Sequence, residues 1–245
     1  MPEEWVPILE AKIPFYASLE GELLDRFHTR LKIFVWEKYW IEAGGMEITD
    51  EVRVVISAAA VRLGLHLKQS VYNRLTEIVV YPSHYHHPDK GMDPDKGMDP
   101  HHDAVVLGEA HAWGTVVLSW DAVVGGLANP EDGHDTATHE FAHVLDRNTG
   151  HFDGTPILRG FGDYRPWAKV LTKHFDRLQA GRKKQRQMMR KYGATNEAEF
   201  FAVATESFFE RPERMLENAP DLYALLKRYY GFDPAAGPKT VDSAE

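Results

Sequence analysis

The pentapeptide His-Glu-Phe-Ala-His, residues 139–143, places two imidazoles four positions apart. On an α-helix that spacing turns through about 40° and rises about 6 Å, so both rings reach one point on the same face. Imidazole nitrogens at one point are a zinc-binding pair. Glu140 follows the first histidine directly. Its carboxylate stands beside such an ion rather than on it, where a base must be to take a proton from a metal-activated water. The chemistry that this pattern predicts is hydrolysis by zinc. The competing reading is two histidines of a buried helix that hydrogen-bond to the scaffold.

A catalytic zinc keeps three protein ligands and one open position. The chain has no cysteine, so the third ligand must be His, Asp or Glu. Glu199 and Glu206 lie seven apart on a helical stretch that follows Asn196, and they share a face. Either suits the role. Glu199 is also three residues after Asn196, the place of a capping carboxylate, and Glu206 is also a candidate buried scaffold carboxylate. Helical spacing leaves both open.

These residues need rigid elements. The residues flanking the histidines, Phe141, Ala142, Val144 and Leu145, are apolar, which predicts a buried helix with Asp135 and Thr136 as upstream caps, ending near residues 148–150. A helix is expected from Ser18, as N-cap, to about Phe34. Another is expected after Thr49, with Asp50 and Glu51 in its first turn. "LTEIVVYP" and "WGTVVLSWD" (113–121) read as strands. The second is either an interior strand or an edge open to an extended peptide. A long polar helix is expected from about Trp167 to Tyr192. A further one starts after Asn196 and stops before Pro212. The basic run 177–192 reads as a solvated helix face. Between the strands, Asp-Lys-Gly-Met-Asp-Pro occurs twice in tandem, at 89–94 and 95–100, flanked by His84, His86, His87, His101 and His102. Two six-residue copies are too few for a solenoid, so residues 83–103 read as a polar surface loop rather than an accessory metal site.

The 245 residues are 43% hydrophobic, enough for a buried core, and the formal net charge of −9 argues against nucleic acid as a partner. No apolar run approaches the roughly 18 residues that span a bilayer. The acidic start "MPEEWVPILE" is unlike a signal peptide, and a cytoplasmic location is expected.

"THEFAHVLDRNTGHFDGTPIL" followed by "NEAEFFAVATESFFERPE" resembles the Mlc titration factor A family of zinc peptidases. The hallmark His-Glu-Phe-x-His-x-Leu-Asp is matched by His139 through Asp146. A Tyr, six residues and a Glu follow as Tyr192 and Glu199. The same Tyr and Glu spacing occurs in the catalytic domain of anthrax lethal factor, whose fold the family resembles. The resemblance implies one α+β zincin-like domain over residues 1–231, mostly helical with a small mixed sheet; the last residues, 232–245, read from their own composition as a flexible tail. It implies one zinc ion on His139, His143 and Glu199, with Glu206 behind, Glu140 as base, and Tyr192 as donor to the oxyanion. Asp146 either orients a ligand or caps its helix. Implied activity is aminopeptidase-like cleavage of short peptides. The rival implication is a non-catalytic protein that sequesters a transcriptional repressor, as the family's namesake binds glucose-responsive Mlc. The duplicated loop departs from the family pattern.

Overall fold

A computed structural model describes residues 1–83, 114–129 and 133–236. Most of the duplicated loop, with its flanking histidines, and the chain from 237 onward lie outside the described residues. In chain order the elements are α1 (Trp5–Lys12), α2 (Gly21–Glu37), β1 (Tyr39–Glu42), α3 (Asp50–Gly64), β2 (Glu77–Tyr81), β3 (Thr115–Ser119), α4 (Trp120–Ala128), α5 (Thr136–Arg147), α6 (Tyr164–Gln179), α7 (Lys183–Met188), α8 (Glu197–Glu210), α9 (Pro212–Asn218) and α10 (Pro220–Tyr230). Short 3₁₀ turns join several of them.

The strands pair in the order β1-β2-β3, with Trp40 opposite Ile78 and Ile78 opposite Val116. All three are parallel, so among the described residues the sheet is parallel rather than mixed. Parallel neighbours need a crossover, and α3 supplies the one between β1 and β2. Alternation puts Ile78, Val80, Val116 and Leu118 on the inner face. Helix α3 is apolar almost all round, the mark of a central helix, and Ala58, Ala59 and Ala60 let neighbours approach closely. Thr49 caps it by accepting from Val52 N at 3.4 Å. Helix α5 packs between α3, β3 and α8. Its Phe141 is fully buried, edge-on to Phe34 (5.8 Å) and Tyr72 (5.9 Å).

Three local expectations change. Ser18 does not cap α2: its hydroxyl donates to Phe15 O inside a 3₁₀ turn, and the helix begins only at Gly21. The "WGTVVLSWD" strand is shorter than expected, because Ser119 accepts from Ala122 N and opens α4. The long helix to Tyr192 is broken. Gly181, at φ +67°, closes α6 with amides of Gly181 and Arg182 bonded to the carbonyls of Leu178 and Arg177. That pair of bonds is a Schellman stop, which needs a left-handed residue and so favours glycine. Tyr192 therefore sits in a separate turn, Lys191–Ala194. After Gly231, Asp233 accepts from Tyr223 and Lys227, and Ala235 N donates to the Tyr223 hydroxyl at 3.0 Å.

Candidate metal centre

Asp135 starts α5 by accepting from Thr138 N at 2.9 Å, and Asn196 starts α8 by accepting from Glu199 N at 2.9 Å. The two capped helices lie against each other and aim three donor atoms at one point. His139 Nε2 is 3.1 Å from His143 Nε2 and 3.1 Å from Glu199 Oε2, and His143 Nε2 is 3.5 Å from that oxygen. All three side chains are buried. Glu199 is therefore not the capping carboxylate: its amide donates to the Asn196 cap, while its carboxylate turns to the histidines.

The triangle fits a zinc ion. Ligands bonded at about 2.05 Å in a tetrahedron stand about 3.3 Å apart, and the observed edges span 3.1–3.5 Å. Two imidazoles and one carboxylate are a donor set zinc accepts. Glu199 Oε1 and His143 Nδ1 are buried without a hydrogen-bond partner, which leaves the carboxylate's second oxygen uncommitted.

Electrostatics agree. Burial alone lowers the His139 pKa, yet the Glu206 and Glu199 carboxylates outweigh it and raise it to about 10. Burial would raise that of Glu199, but its bonds to His139 and His143 hold it well below the usual carboxylate range. Burial lowers that of His143. In the absence of another cation, the site draws a proton onto His139. A centre that calls for a buried positive charge is suited to a divalent ion.

Glu206 is fully buried behind His139. A carboxylate only accepts, so His139 Nδ1 carries the hydrogen on the 2.7 Å bond to Glu206 Oε1, and the Nε2 lone pair faces the triangle once that ring is neutral. Glu206 Oε2 accepts from Asp135 N at 2.9 Å. Arg190 Nη2 reaches both oxygens, at 2.6 and 2.9 Å. Arg190 lies two residues before Tyr192, so this ion pair ties the Tyr192 turn to the centre. The Tyr192 ring is half-buried with its centroid 6.0 Å from that of His139. Glu140 is half-buried on α5 and adds negative potential at both histidines.

Sequence reasoning missed Arg190 and Phe152. Arg190 belongs to the basic run read as a solvated face, and nothing in that run distinguishes it. Phe152 packs against the His143 ring at 4.9 Å, beneath the guanidinium of Arg147 at 4.7 Å. Its loop is held by Asp146, which accepts from Gly154 N at 2.9 Å, while Trp167 Nε1 donates to Gly154 O at 3.0 Å. Asp146 is thus a loop anchor. Gly154 has φ +76°, and a Cβ there would lie 2.5 Å from Glu197 O, so only glycine lets the loop reach the start of α8.

Residues 1–231 match the family described as glucose-regulated metallo-peptidase M90. The chain belongs to that family. An uncharacterized protein of Synechocystis sp. is 34% identical over 238 residues, covering 96% of this chain and 86% of its own. Proteins named Mlc titration factor A from Pectobacterium atrosepticum and Serratia proteamaculans are each 28% identical, over 97% and 91% of this chain and 89% and 86% of their own. A mostly helical α+β fold with a small sheet is in keeping with an M90 metallopeptidase. No helix among the described residues is long and apolar enough to cross a membrane.

Burial raises the Asp146 pKa from an ordinary 3.8 to about 7, against the Gly154 amide, which lowers it. Between those values the folded M90 chain binds a proton that the unfolded chain does not. The resulting stability is complete below pH 3.8 and is lost as pH rises through about 7. Asp146→Asn should therefore flatten the fall in stability over this window. Urea unfolding of both proteins at several pH values checks it, and parallel curves would mean that Asp146 titrates normally.

Proposed function

We propose that this M90 protein is a cytoplasmic, zinc-dependent, aminopeptidase-like hydrolase of short peptides. The convergence of His139 Nε2, His143 Nε2 and Glu199 Oε2 in one buried triangle carries the reading. One zinc ion held there would supply a Lewis acid for the scissile carbonyl and lower the pKa of a water toward about 7. The chain's own residues do the rest. Glu140, adjacent to a ligand yet outside the triangle, accepts the proton of the attacking water and passes it to the leaving amine. Tyr192, held beside His139 by Arg190 and Glu206, donates its phenolic hydrogen to the carbonyl oxygen as negative charge develops. Glu206 fixes the His139 tautomer and ring angle.

The relatives named Mlc titration factor A support a second role, binding of a transcriptional repressor. The two roles separate by mutation. Glu140→Gln should keep the metal and any protein partner and lose peptide hydrolysis by about 100-fold or more, the scale of a general base. Assays on a panel of chromogenic aminoacyl and short-peptide substrates, with metal content measured on the same samples, provide the test. Hydrolysis that persists in the variant would remove Glu140 as the base, and a metal-loaded wild type that cleaves none of the panel would remove the catalytic reading and leave the binding one.

Tyr192→Phe keeps the ring and loses only the hydroxyl. KM should stay within about threefold and kcat should fall roughly 10- to 1000-fold. An unchanged kcat would reduce Tyr192 to a packing residue.

Loss of Glu199 removes a direct ligand, whereas loss of Glu206 removes the support of one. Glu206→Ala should weaken zinc binding about 10- to 100-fold, and Glu199→Ala should weaken it further. Chelator competition on both variants measures the order, and the reverse order would exchange their roles.

A further inference from the structure

At the capped start of α5, with Asp135 in its wall, lies a cavity of about 1230 Å³. His139, Glu140, His143, Tyr192 and Glu199 do not line it. Its walls are apolar side chains from separate parts of the chain, among them Phe15, Leu19, Leu127 and Phe209. Its volume lies above the roughly 300–1000 Å³ of pockets that hold small organic molecules, so it has room for one.

The polar groups of the lining differ in how far they are matched. Arg62 stands 3.8 Å from Asp135, faces Glu210 as well, and lies over the rings of Phe15 and Phe209. Lys227 pairs with Asp233, and Arg228 pairs with Asp163 at 2.5 Å. Glu20 is on the exposed rim. Arg159 differs: it too is exposed at the cavity's edge, but it has no carboxylate or hydrogen-bond partner among the described residues.

Beside Arg159 is His66, whose Nε2 is buried without a hydrogen-bond partner. The ring stacks on Phe232 with an interplanar angle of 17°. Burial lowers the His66 pKa, and Arg26, Arg30 and Arg159 lower it further, so this corner carries positive potential around a neutral imidazole. Gly231, which ends α10 in the left-handed region, adjoins both side chains. It sits at φ +67°, and a Cβ there would lie 2.5 Å from Arg159 Nη2 and 3.0 Å from His66 Cβ. A bare backbone, an unmatched guanidinium and an orphaned ring nitrogen thus meet at one end of a cleft walled in part by apolar side chains.

We propose that this cavity binds an amphiphilic monocarboxylate, its carboxylate on Arg159 and His66 and its hydrocarbon body along Phe15, Leu19, Leu127 and Phe209. Charge complementarity selects the anion: Arg159 is the unmatched cation of the lining among the described residues, and His66 Nε2 is a ring nitrogen with no hydrogen-bond partner beside it. The apolar walls select the body. None of the proposed catalytic residues or ligands lines the cavity, so the proposal stands whether or not the peptidase chemistry is found.

Isothermal titration of the full chain with dodecanoate, below its micelle concentration, tests this directly. One saturable equivalent is expected, with dodecanol and acetate each binding at least about tenfold more weakly, since the one lacks the charge and the other the body. Arg159→Glu should weaken dodecanoate at least about tenfold while leaving the thermal unfolding midpoint near that of wild type. If that variant unfolds early, Arg159→Gln carries the same comparison. Absence of saturable binding, equal binding of dodecanol, or affinity unaffected at position 159 in a folded variant would overturn the proposal.

Discussion

The carboxylate of Glu206 is the interaction on which the centre depends. It is fully buried and accepts from three directions: His139 Nδ1, the Asp135 amide at the head of α5, and the Arg190 guanidinium. A buried carboxylate is costly unless it is paired and hydrogen-bonded, and this one is both. Each bond fixes a different part of the site. One sets the His139 tautomer, one locks the start of the motif helix to α8, and one ties down the turn bearing Tyr192. Removing any of the three partners leaves the others facing an under-compensated charge.

Around that point the fold supplies stiffness. Helix α3, buried on nearly every side, and the inner face of the small parallel sheet form a platform for α5. Phe141 keys α5 into it through Phe34 and Tyr72. Close packing of this kind holds the two histidines in one rotamer each, which helix propensity alone does not do. On the opposite side, Asp146, Gly154 and Trp167 pin the loop that lays Phe152 on His143.

The elements most legible in the sequence were those whose signal is local and periodic. The four-residue spacing of His139 and His143, the caps Thr49, Asp135 and Asn196, and the β-branched runs of β2 and β3 all stand in the structure. Glu199 and Glu206 could not be separated by helical period, because both face α5. Depth against the neighbouring helix distinguishes them, and depth is a tertiary quantity. Strand β1 escaped notice because it is four residues long and largely exposed, with no alternation to read. The stop at Gly181 was visible as a glycine within a polar run, but the surrounding helix-forming residues conceal it. Arg190 carried no signal, since its role exists only once Glu206 is in place.

The central claim is that the His139–His143–Glu199 triangle is a zinc centre held open by Glu206. Crystals of the zinc-loaded protein, with anomalous data on both sides of the zinc edge, test it most directly. The account predicts one strong peak within about 2.0–2.2 Å of His139 Nε2, His143 Nε2 and a Glu199 oxygen, with Glu206 still bonded to His139 Nδ1 and outside the coordination sphere. A triangle without a peak, or a peak coordinated by Glu206 in place of Glu199, would contradict it.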